Sequence, residues 1–148
     1  MSPHPRDDTS ESPVGDDVLV YRLVPTHWCD VVNGQWEFQS AAFDNSTPES
    51  DDECPDDMSV VLSDTLATLN RTPEALPEDT PWAGDEYGVA VLEVDYLRHE
   101  EEQQLFRTPE DDEPAHGDVC GKKAPKRRKR LKKHAQWVVR PAADPRSS

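Results

Sequence analysis

The chain has 148 residues, 31 of them Asp or Glu against 16 Lys or Arg, for a net charge of −15. That length suits one modest domain and leaves no room for two full cores. The longest apolar runs, Val18-Leu19-Val20-Tyr21 and Val89-Ala90-Val91-Leu92, have four residues, far short of the roughly 20 that a membrane-spanning helix needs.

Residues 1 to about 17 are Pro, Asp, Ser and Thr with almost nothing apolar, so they read as a disordered acidic tail. Val18–Val24 is β-branched and aromatic, and Pro25 ends it as a strand. Asn33-Gly34 is a hairpin signal, because a type I′ turn needs positive φ at both central positions. It joins Asp30–Val32 to a strand from Gln35 to about Ser40. Residues 44–57 hold seven acids and two Pro and read as a solvated loop. Asp57 is placed to cap a helix from Met58, because Met58, Val61, Leu62, Leu66 and Leu69 keep helical spacing until Asn70 and Pro73.

A Pro-rich stretch then runs to Trp82, and Tyr87–Val94 is the clearest buried strand. Asp95 can cap a short helix over Tyr96–Glu102, and Gln104–Arg107 reads as a strand before an acidic loop at Thr108–Pro114. Ala115–Cys120 is a strand with a turn at Gly121. Pro125 suits the first position of a helix that reaches about His134, with Leu131 and Ala135 as its thin apolar seam. Ala135–Val139 closes a domain spanning 18–141, and 142–148 reads as a second tail. The expected fold is α+β: one small domain, mostly antiparallel sheet with two or three short helices.

Charge is segregated. All six Lys lie between Lys122 and Lys133, a window holding nine cations (Lys122, Lys123, Lys126, Arg127, Arg128, Lys129, Arg130, Lys132 and Lys133) and no acid. The remainder carries −24, that is −15 less the nine positive charges. An acid-rich, Lys-poor body is the composition of halophile proteins, and equally of a GC-rich genome. Three readings of the basic helix stand side by side: neutralising nucleic-acid phosphates, folding back on the acidic loops 44–57 and 108–114, and a nuclear-targeting-like run. Salt separates hosts for the first. With about six phosphate contacts, affinity falls about 10⁵-fold for each tenfold rise in salt.

Other candidates are sparser. His27, Cys29, His116 and Cys120 supply two His and two Cys, but not in the spacing of a zinc motif. Cys120 in its apolar strand reads as a small buried thiol, and Cys29 near His27 poses a nucleophile–base pair only if the strand is regular enough to put both on one face. Three cysteines (Cys29, Cys54, Cys120) imply no disulfide framework. With no apolar leader, the expectation is a reducing cytoplasm, where Asn45-Ser46-Thr47 and Asn70-Arg71-Thr72 are chance glycosylation matches. Trp28, Trp36, Trp82 and Trp137 read as packing residues, Trp137 as core. His116 is either an accessible site histidine or the cap of a strand bulged at Gly117. Carboxylate pairs are too abundant to single out any one. With 6 Gly, no phosphate-cradling loop is present.

Gln39-Ser40-Ala41-Ala42-Phe43, Met58-Ser59-Val60 and Pro114-Ala115-His116-Gly117, after a Tyr21-Arg22 strand, resemble a group of small prokaryotic proteins of unassigned function. A remoter likeness is to RES-type and other ADP-ribosyltransferase-like domains. It implies NAD chemistry with Arg22 ending an early strand, Ser40 on the next and a later acid, without that family's glycine-rich stretch near the serine. Two functions therefore stand as expectations. One is a non-enzymatic binding or accessory protein that uses Lys122–Lys133 to meet a nucleic acid or an acidic protein, with no metal, cofactor or membrane. The other is an enzyme acting on NAD, with Arg22, Ser40 and His116 lining its pocket.

Overall fold

A computed structural model describes residues 14–43 and 58–145. Its centre is a six-stranded, wholly antiparallel sheet in the order β6-β7-β4-β1-β5-β8. The strands are β1 (Leu19–Pro25), β4 (Met58–Leu62), β5 (Tyr87–Glu93), β6 (Gln104–Arg107), β7 (His116–Cys120) and β8 (Gln136–Val139). A separate hairpin pairs β2 (Cys29–Val32) with β3 (Gln35–Phe38). Asn33 and Gly34 take φ of 53° and 77° at its tip, as the sequence predicts. The α-helices are α1 (Ser63–Thr68), α2 (Leu76–Asp79) and α3 (Pro125–His134). The α+β expectation holds.

Alternation along β1 splits the core. Val20 and Val24 face the layer containing α3, the hairpin and a 3₁₀ turn at Ser40–Phe43, with Phe38, Phe43, Leu62, Leu92 and Leu131. Tyr21 joins Val61, Leu66, Leu76 and Val89 under α1 and α2 on the other face. Side chains of successive strand residues point to opposite faces, so one strand serves both layers.

Three sequence expectations change. Met58–Leu62 is strand rather than the first turn of a helix, and α1 begins at Ser63; Asp57 lies outside the described residues. The apolar spacing fitted either period. Val60 and Val61 are β-branched, and β1 and β7 both need this strand for their ladders. At the N-terminal side, Val14, the first described residue there, is already packed and 2% exposed, within the stretch that reads as tail. Arg98 donates to the Val14 carbonyl and to Asp16; residues 1–13 lie outside the described residues. At the other end, the Trp36 indole donates to the Ala143 carbonyl and the Ala143 amide donates to Asp85, so residues 142–145 dock on the body.

Gly117 sits in regular register between Val60 and Arg107, without a bulge. A Cβ there would meet the Phe106 carbonyl at 2.9 Å and Leu62 at 3.0 Å. The glycine serves close packing of a central strand. We expect Gly117→Val to cost about 1–3 kcal/mol through overpacking, read as a lower urea midpoint at unchanged slope.

Candidate functional site

The basic helix α3 begins with Pro125 at its first turn and packs Leu131, fully buried, onto the 3₁₀ turn at Ser40–Phe43. One apolar anchor on ten residues does not hold a helix this charged, and the rest comes from Glu101. That carboxylate is 1% exposed. It accepts from Tyr96 Oη at 2.5 Å and from Arg130 Nε and Nη2 at 3.0 and 2.9 Å, and it pairs with Arg127 Nε at 3.2 Å. Burial alone would raise the Glu101 pKa. The hydrogen bonds from Arg130 and Tyr96, with the charges of both arginines, outweigh it and hold the carboxyl below its ordinary value. Tyr96 is pushed up by burial and by its bond to Glu101, so it stays a donor. Its ring stacks on His134 at 3.6 Å, and His134 Nε2 lies 3.3 Å from Glu93.

The nine cations therefore divide. Lys123 is 3% exposed, and its Nζ donates to the Val119 and Gly121 carbonyls. Arg127 and Arg130 are tied to Glu101, and Arg128 is half-buried. Lys122, Lys126, Lys129, Lys132 and Lys133 are exposed. Within α3, Lys126, Lys129 and Lys133 follow the three-and-four spacing of a single stripe turned away from Leu131. For the loop 108–114 the folding-back expectation is corrected. In the loop 108–114, Glu113 binds Arg71 through two hydrogen bonds and Glu110 faces His116, whereas α3 meets Glu101 and Glu93. The loop 44–57 lies outside the described residues.

The NAD-site residues come together only in part. Arg22 and His116 line one cleft of about 100 Å³, with Tyr21, Ser59, Trp82, Glu110 and Asp112; Ser40 does not. Arg22 is 5% exposed, and its guanidinium donates to the carbonyls of Ala42 and Ser59. The cleft is also smaller than the roughly 300–1,000 Å³ of ordinary ligand pockets.

The His/Cys quartet is not assembled. Cys120 is disulfide-bonded, so cysteine usage no longer argues for a reducing compartment. Cys29 Sγ donates to the Pro25 carbonyl, and His27 is exposed, with its ring edge-on to Trp28. Burial first, then Asp30 and Glu37, push the Cys29 thiol up to about 11, the reverse of an activated nucleophile. Trp36 is buried, Trp137 is half-buried and stacked on Phe38 at 4.0 Å, and Trp28 lies under Arg22. Trp82 is 60% exposed at the cleft. Among the described residues, no helix is long and apolar enough to cross a membrane.

Sequence reasoning passed over Glu101 because it stands among three consecutive acids, Glu100 to Glu102, with no local sign of burial. Its partners on α3 lie 26 and 29 residues on. No family model matches the chain, and neither a curated protein nor a solved structure matches it.

Removing the Glu101 charge should loosen α3. Glu101→Gln is expected to cost about 2 kcal/mol at neutral pH, the scale of a hydrogen bond to a charged group. The folded pKa is lowered, so the stabilisation is complete above the unfolded carboxyl value of about 4.3 and fades as pH falls through the lower folded value. Wild type and variant should converge in urea midpoint at acid pH. For Cys29, peptide mapping after iodoacetamide treatment at pH 8 should show alkylation at least about 100-fold slower in the folded chain than in urea.

Proposed function

We propose that this chain is a non-enzymatic binding protein that contacts nucleic acid through the outer face of α3. The observation that carries the reading is the division of cations around Glu101. Arg127 and Arg130 are committed to Glu101, and Lys126, Lys129, Lys132 and Lys133 stand in solvent on α3, with Lys122 exposed just before it. Lysine is a flexible point charge suited to phosphate, and the planar fork that reads guanine edges belongs to arginine. Binding through this face is then dominated by the phosphate backbone and insensitive to base sequence. The strongly acidic remainder repels a polyanion everywhere else, which confines contact to one face. An acidic protein surface is the other partner the charge suits. The repeat of lysines along a single straight helix favours a strand of regularly spaced phosphates.

The test is a fluorescence-anisotropy titration of a short labelled duplex at several salt concentrations. Five phosphate contacts give a slope of roughly −4.5 in log K against log salt. Joint replacement of Lys126, Lys129, Lys132 and Lys133 by Gln should reduce that slope by about 3.6. Stability should barely change, because these side chains touch no buried partner. A duplex that fails to bind at low salt, or a slope indifferent to these lysines, refutes the reading. Binding by an acidic polypeptide in its place would identify the other partner class.

A further inference from the structure

The cleft beside His116 lies on the face of the sheet opposite α3, and the nucleic-acid reading makes no use of it. It exists because two strands part. The β1–β4 ladder has only two pairs, Val20↔Leu62 and Tyr21↔Val61. Beyond them β1 continues along β5 to Pro25, and β4 continues along β7 to Met58. The guanidinium of Arg22 spans the gap with its donors on the Ala42 and Ser59 carbonyls, which closes the floor. Tyr21 and Trp82 are the aromatic lining, and Trp82 is the most exposed large apolar side chain among the described residues.

The polar lining is rich in acceptors. His116 Nδ1 lies 3.0 Å from the Thr108 carbonyl. The Thr108 hydroxyl lies 2.8 Å from the same nitrogen, so the ring is held in place through Nδ1. His116 Nε2 is 3.9 Å from Glu110 Oε1, and Asp112 lines the same cleft. Glu113 is already matched by Arg71 and by the Ala115 amide. Arg22, which lines the cleft, is turned onto the Ala42 and Ser59 carbonyls, and what the cleft offers beside the Glu110 and Asp112 carboxylates is aromatic surface. An ammonium or guanidinium head suits both, through charge-assisted hydrogen bonds to the carboxylates and through attraction to the Tyr21 and Trp82 rings.

We propose that this cleft binds the cationic head of an alkylamine or alkylguanidine, of the size carried by a lysine or arginine side chain. At about 100 Å³ it admits such a head and a short stem, not a nucleotide. The partial convergence of Arg22 and His116 thus marks a small-cation site with Arg22 as its structural floor.

The experiment titrates the isotope-labelled full chain with n-butylammonium and n-butylguanidinium, following the Trp82 indole and the His116 ring by NMR. Expected are saturable shifts at both residues with Kd in the millimolar range. Trp82→Ala, and separately the joint change Glu110→Gln with Asp112→Asn, should each weaken binding by about fivefold or more. The four-lysine variant of α3 should bind the cations unchanged, so failure of duplex binding and failure of this site are read separately. Three results overturn the proposal: no saturable shift, equal shifts with neutral n-butanol, or equal shifts with sodium or magnesium chloride at matched ionic strength. Of these, the neutral result would mean a merely apolar cleft and the salt result a merely acidic rim.

Discussion

Burying one carboxylate organises the basic half of this molecule. Glu101 is almost wholly withdrawn from water, a position that costs several kcal/mol unless the charge is matched and hydrogen-bonded. Tyr96 matches it from its own π-helical turn, Tyr96–Glu100, and Arg127 and Arg130 from α3. The three partners leave the carboxylate little freedom, and in return it fixes where a helix of mean charge far above its apolar content lies. Leu131 supplies the apolar contact, and Glu101 supplies direction.

That arrangement sorts chemistry by residue type. Arginines, with several donors in one plane, are used where a buried acceptor needs more than one bond. Lysines, whose ammonium is costly to dehydrate, remain outside. Lys123 is the exception: its buried Nζ is accommodated by two backbone carbonyls at the turn after β7. A basic segment that looks uniform in sequence is thus a structural inner face and a chemically simpler outer one.

The sheet separates opposite charges. Its α3 face ends in lysines, and its other face, where β1 and β4 part, ends in Glu110, Asp112 and an exposed Trp82. Arg22 belongs to both layers. It projects from the side of Val20 and Val24, stacks over Trp28 and closes the opposite cleft through Ser59. A cation at that gap, bonded to backbone carbonyls, holds the parted strands where a ladder is missing.

Much of this was legible in the residues themselves. Asn33-Gly34 determined a hairpin tip, Pro125 a helix start, and the apolar runs at Val18–Val24 and Tyr87–Val94 two central strands, because each rule acts over a few neighbouring residues. The clustering of all six Lys and three Arg between residues 122 and 133 was likewise plain. The tertiary structure alone decided the rest. Met58–Leu62 became strand because β1 and β7 needed a partner. Val14 was drawn into the core, and Glu101 was singled out among its acidic neighbours. Arg22 and His116 came to share a cleft without Ser40. In each case the energy lies in contacts between segments far apart in sequence, whose burial no local pattern encodes.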